Sequence, residues 1–134
     1  MENLIAVGRY DNATVLTLTD TSSFNSYNNV VSLIDRRKAT IALSEIDVGG
    51  GVWRVKWNPQ ENRKEDLLVA CMRDGFKVLH YEEGMQQGRV VHRFDDHESL
   101  AYGVDWSFEP PAEDGTQVVG SCSFYDHMLH VWRA

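Results

Sequence analysis

The stretch VVGSCSFYDHMLHVW, Val118 to Trp132, decides the fold. Two runs of apolar, β-branched and small residues flank a Phe-Tyr-Asp-His cluster, which reads as strand, tight turn and strand. An earlier stretch, LLVACMRDGFKVLHY at 67–81, has the same build. Each follows a shorter run ending in tryptophan, VWRVKWNP at 52–59 and AYGVDWSF at 101–108. Trp57 and Trp106 stand 49 positions apart, and Cys71 and Cys122 stand 51 apart. The chain therefore repeats a unit of at least three strands.

Working outward, helical periodicity is nearly absent, and short runs rich in Val, Ile, Leu, Thr and aromatics alternate with Gly, Asp, Asn and Pro clusters. The pattern predicts ten strands, near 4–8, 14–19, 39–47, 52–57, 67–72, 76–81, 89–94, 101–106, 117–122 and 128–133. A repeat slightly above the roughly 40 to 45 residues of a WD repeat is the mark of propeller blades. The expected fold is all-β: a partial WD-repeat β-propeller of about two and a half blades of four-stranded antiparallel sheet. The blades divide as a fragment at 1–48, a blade at 49–96 and a last blade at 97–134. The opening LIAVGRYDNATVLTLTD reads as the middle hairpin of a preceding blade.

Composition agrees. With 43% hydrophobic and 25% charged residues, the 134-residue chain is that of a folded protein. No apolar run approaches the roughly 18 to 20 residues of a membrane span, and the start has no leader pattern. Thirteen basic against twenty acidic residues give a net charge of −7, with no basic cluster longer than Arg36-Arg37-Lys38, which argues against a nucleic-acid groove and for a cationic partner. Neither a disulfide scaffold nor a metal site is indicated by two cysteines in apolar runs, and both read as core. No cofactor is implied, and a cytoplasmic setting follows.

The last repeat carries a recognisable constellation: His97 before the inner strand, a serine in the second strand (Ser123, or Ser121), Asp126 in the turn and Trp132 in the third strand. In WD repeats these four types form one hydrogen-bonded network, because a buried His, carboxylate and hydroxyl must satisfy one another. Taking Ser123 places it one residue further from Asp126 than usual and calls for a bulge. The preceding repeat has Asp74, Tyr81 at the tryptophan position and no histidine, so its network is incomplete.

Four strings in order, GGGVWRVKWNP (49–59), LLVACMRDGFKVL (67–79), HESLAYGVDWS (97–107) and CSFYDHMLHVW (122–132), resemble the diphthine methyl ester hydrolase family, also named diphthine methyltransferase. The resemblance is strong over 40–134 and implies the C-terminal part of such a propeller. It further implies a carboxylic ester hydrolase of diphthamide biosynthesis, acting on elongation factor 2. The substrate would be a modified histidine carrying a trimethylammonium group and the methyl ester that water removes. The isolated chain would be inactive, the remaining blades being required. The rival reading is a non-catalytic WD-repeat scaffold that binds a peptide or protein on the same rim.

In a propeller, the loops that enter each inner strand share a face with the turns between second and third strands. That gathers Gly49-Gly50-Gly51 and His97-Glu98 with Tyr10-Asp11-Asn12, Arg73-Asp74 and the 124–127 turn. Ester hydrolysis needs a base and donors for the oxyanion. His127 is the candidate base, or else a solvated turn histidine. Gly49, Gly50 and Gly51 could present backbone N–H groups to a ligand, or simply make a tight turn. Arg54 could hold a carboxylate or be a solvated channel residue. Tyr125, with Tyr102 and the tryptophans, could cage the trimethylammonium group, although most such rings serve blade cores.

Overall fold

The computed structural model describes residues 4–10, 13–16, 29–35, 42–82 and 87–134. They contain eleven strands: β1 (Leu4–Tyr10), β2 (Ala13–Leu16), β3 (Val30–Asp35), β4 (Ala42–Asp47), β5 (Arg54–Trp57), β6 (Asp66–Ala70), β7 (Phe76–Tyr81), β8 (Gly88–Phe94), β9 (Gly103–Trp106), β10 (Val118–Ser123) and β11 (Met128–Arg133). The strands form three antiparallel sheets, ordered β2-β1-β3-β4, β5-β6-β7-β8 and β9-β10-β11. No helix among the described residues is long and apolar enough to cross a membrane.

The middle sheet explains the stacking. All five residues of β6 are buried, which requires cover on both faces of a strand whose side chains alternate. Leu67, Val69 and Cys71 join Leu79 and Tyr81 on one face, packed with Val31 and Leu33 of β3 and Val48 and Val52 of the connecting loop. Leu68 and Ala70 join Phe76 and Val78 on the other, packed with Val104, Trp106, Val119 and Trp132 of the last sheet. Each fully buried aliphatic or aromatic side chain contributes roughly 1.5 to 3 kcal/mol to holding the sheets together. This face-to-face stack of consecutive sheets is a partial β-propeller.

In the last sheet burial alternates instead: β10 buries Val119, Ser121 and Ser123, while Leu129 and Val131 of β11 stand 70% and 69% exposed. One face of that sheet is covered and the other is open among the described residues.

The first sheet departs from expectation. Val30–Asp35 is an eleventh strand, missed because Val31 to Ile34 are buried at four consecutive positions and show no alternation. Since β3 takes the place beside β4, the opening hairpin is not the middle of the sheet: β1 lies second and β2 at the edge. The strand expected at 14–19 begins at Ala13 and is described to Leu16; its residues 17–19, like 39–41, lie outside the described residues. Nor is there a bulge at Ser123, since β10 and β11 pair without a shift from Val118–Arg133 to Ser123–Met128. The register shifts fall at Leu33/Ile34 and Val78/Leu79.

Candidate functional site on the loop rim

The β9-β10-β11 sheet is pinned by one polar network. The Asp126 carboxylate, 2.7 Å from His97 Nδ1, can only accept, so Nδ1 carries the proton. Nε2 then accepts from the Ser121 hydroxyl at 3.0 Å, and Ser121 Oγ accepts in turn from Trp132 Nε1–H at 3.0 Å. The turn is closed by Met128 N–H to Asp126 Oδ1 at 2.8 Å, and the entering loop by Glu98 N–H to Oδ2 at 3.2 Å. Desolvation pushes the Asp126 carboxyl up, but the Met128 N–H, the His97 ring and the Glu98 N–H outweigh it and hold the group below the ordinary carboxylate range.

The hydroxyl in this network belongs to Ser121, not Ser123. Both face the same side of β10, but the hairpin register sets Val119 opposite Trp132 and brings only Ser121 under the indole and imidazole. The buried Ser123 Oγ has no partner among the described residues. Ser121, His97 and Asp126 have the bonding order of a nucleophilic triad. They are nevertheless sealed: the His97 and Asp126 side chains are each 3% exposed, and the indole N–H occupies the serine oxygen. The array is a clamp rather than a reaction centre.

In the middle sheet, ion pairs replace this network. Lys77, nearly buried, donates to Asp74 and to the Val48 carbonyl, and Arg93 donates to Asp74 Oδ1 at 2.8 Å and to Asp95. The Arg93 guanidinium is the main reason that the Asp74 carboxyl sits below its usual range. By register Leu67 pairs with Leu79 as Val119 pairs with Trp132, so Leu79, not Tyr81, holds the tryptophan position. The same alignment matches Cys71 with Ser123 and Ala70 with Cys122. Hence the expectation of two core cysteines holds for Cys71 alone; Cys122 is exposed on the open face. Burial pushes the Cys71 thiol up to about 12.

The glycine loop packs onto the Cys71–Asp74 turn. Gly49 has a φ of +78°, and a Cβ at Gly50 would overlap the Cys71 carbonyl oxygen and stand 2.8 Å from Asp74 Cβ. Close packing thus already accounts for glycine at Gly49 and Gly50. Beside them opens a recess of about 180 Å³ lined by Asn29, Gly49, Gly50, Gly51, Met72 and Arg73. Met72 holds a φ of +46°, uncommon for a side-chain-bearing residue, and its carbonyl accepts from Ala101 N–H at 2.7 Å. That bond ties the middle sheet's turn to the loop entering the last sheet, so the glycine loop, the 71–75 turn, the 95–102 loop and the 124–127 turn share one rim.

The remaining candidates fall on or next to it. His127 is exposed at a φ of +57°, its ring 6.4 Å from that of Phe124, with no hydrogen-bonded carboxylate among the described residues. Tyr125 is exposed in the same turn, and Arg54 is exposed at the start of β5 without an ion pair among the described residues. Asp11 and Asn12 lie outside the described residues. Sequence reasoning did not single out Lys77, although a lysine inside FKVLHY signals a buried cation in need of a carboxylate. Nor did it pair Trp53 with Tyr102, whose rings meet at 5.2 Å.

Three stacked antiparallel sheets with a His–Asp–Ser–Trp clamp in the last define a partial propeller with a loop-built rim. The chain is a homologue of proteins named diphthine methyltransferase. It is 36% identical to the diphthine methyltransferase homolog of Dictyostelium discoideum over 98% of its own length and 32% of that protein's. It is 40% identical to the diphthine methyltransferase of Mus musculus over 62% of the chain and 18% of the relative. With that of Saccharomyces cerevisiae the identity is 33%, over 69% and 24%. The chain thus spans between 18% and 32% of the length of these relatives. No family model matches it.

Proposed function

We propose that this chain is part of a cytoplasmic enzyme of diphthamide biosynthesis that hydrolyses the methyl ester of diphthine on elongation factor 2. The supporting observation is the alignment of 98% of the chain with a diphthine methyltransferase homolog at 36% identity. In that reaction a base takes a proton from water, the hydroxide adds to the ester carbonyl, and the resulting oxyanion collapses to a carboxylate as methanol leaves. On this rim, His127 is the base, Arg54 attracts the product carboxylate and Tyr125 borders the substrate. The glycine loop supplies backbone donors from Gly50 and Gly51, since Gly49 N–H already donates to Asp47 Oδ1 at 2.8 Å. The blades that complete the ring are required, which fits the open face bearing Leu129 and Val131.

One observation favours a second reading, a scaffold that binds a protein or peptide on the same rim. Among the described residues no hydrogen-bonded carboxylate orients His127, and the Ser–His–Asp array is sealed. Incubating the longer protein with methylated diphthine on elongation factor 2 and measuring methanol release separates the two. Release that survives in the His127→Ala variant, with an unchanged thermal melt, would remove His127 as base; no release at all would leave the scaffold.

A further inference from the structure

We propose that the tip of the last hairpin, built on Phe124, is a docking site for the protein that carries the ester. The inference rests on the rim being the face that meets elongation factor 2, and it names the contact that holds the two proteins together. Between β10 and β11, Phe124, Tyr125, His127 and Met128 are all exposed, Phe124 at 74%, Tyr125 at 62% and Met128 at 51%. Only Asp126 turns inward, its side chain 3% exposed.

That one inward residue fixes the outward ones. Asp126 accepts from His97 Nδ1–H, Glu98 N–H and Met128 N–H, so the turn is held to the blade with its apolar side chains pointing into water. The Phe124 ring meets that of Tyr125 at 5.3 Å and 90°, and lies 6.4 Å from the His127 ring, so the three brace one another. The matching turn of the middle sheet is built the other way: Cys71 and Met72 are buried, and Arg73 alone stands exposed. Each turn follows its aspartate with a left-handed residue, Gly75 at a φ of +72° after Asp74 and His127 at +57° after Asp126. Glycine takes that conformation at less cost, so the histidine is there for its side chain rather than for the turn.

Exposed aromatic and methionine side chains gathered at one point suit the buried centre of a protein interface, and a tip already braced loses little freedom on binding. The adjoining loop exposes Asp96 and Glu98, and the net charge is −7. The surface that fits is an apolar pocket with a basic border on a protein, since nucleic acid and anionic lipid would be repelled.

The test measures binding of the longer protein to elongation factor 2 carrying methylated diphthine, by fluorescence anisotropy, together with KM, kcat and a thermal melt. Phe124→Ala should weaken binding about ten- to thirty-fold and raise KM to match, with kcat and the melt unchanged. Phe124→Tyr should restore most of the affinity. Association should slow as salt is added, and a rate indifferent to salt would overturn the basic border. Unchanged affinity in Phe124→Ala would overturn the site. So would a lower melting temperature or a failure to fold, either of which would put the ring against another blade. Binding that depends on Phe124 without ester hydrolysis would remove the enzymatic reading and keep the docking site; hydrolysis with full affinity in Phe124→Ala would do the reverse.

Discussion

The hydroxyl of Ser121 stands 3.0 Å from His97 Nε2 and is itself buried, while Ser123, two residues along the same strand, has no hydrogen-bond partner among the described residues. The two serines therefore predict opposite responses to one substitution. Ser121→Ala strands the Trp132 indole N–H and the imidazole, and should destabilise by about 1 to 3 kcal/mol. Ser123→Ala removes an unsatisfied buried hydroxyl and should be neutral or slightly stabilising. Urea unfolding of both variants checks this, and equal losses would contradict the assignment.

Acid should destabilise the protein in part through two turn carboxylates. Asp126 and Asp74 are both held below the ordinary range, so near and below the unfolded value of about 3.9 the unfolded chain binds more protons than the folded one. Their contribution is complete above that value and is lost as pH falls through the folded-state values. The loss of melting temperature that these two carboxylates cause should set in near pH 4 and grow below it. In Asp126→Asn the drop should be shallower, because that carboxylate no longer titrates.

The glycines separate steric from conformational demands. Gly50→Ala drives a methyl group into the Cys71 carbonyl and should cost more than about 2 kcal/mol, shifting the 71–75 turn. At Gly115, φ is +82° with nothing within 4 Å of an added Cβ, so Gly115→Ala should cost only the strain, about 1 kcal/mol. Thermal melts of the pair provide the measurement.

The thiols should react unequally. Cys122 is exposed, whereas Cys71 is fully buried with its thiol pushed up to about 12. Under native conditions iodoacetamide should label one cysteine, and Cys122→Ser should abolish the labelling. Cys71 should be modified only after denaturation.

Much of this was legible in the sequence, for physical reasons that differ by residue. His97, Asp126 and Trp132 could be read because each polar type has a fixed partner in a blade and their spacing follows from strand and turn lengths. Ser121 could not be told from Ser123, since residues two apart share a strand face and only pairing with Trp132 chooses between them. Strand β3 escaped because burial on both faces erases alternation. The connections between first and second strands differ in length between the two repeats, which broke the apparent equivalence of Cys71 with Cys122. A further difference in the turns between second and third strands completed the move of the tryptophan position from Tyr81 to Leu79. The contact between Trp53 and Tyr102, on different sheets, has no local signature.

Neighbouring blades of one chain use unlike means to lock the same turn, and that sets how each answers ionic strength. The last sheet relies on a sealed set of hydrogen bonds, which added salt scarcely reaches. The middle sheet relies on Arg93, half exposed between Asp74 and Asp95, where a Debye length shrinking from about 10 Å at 0.1 M to about 3 Å at 1 M weakens the attraction. Raising salt should thus loosen the 71–75 turn, which Arg93 holds through Asp74, before the 124–127 turn, visible as faster amide exchange around residues 72–75. Since Met72 ties that turn to Ala101, the turn would move against a neighbour that stays still.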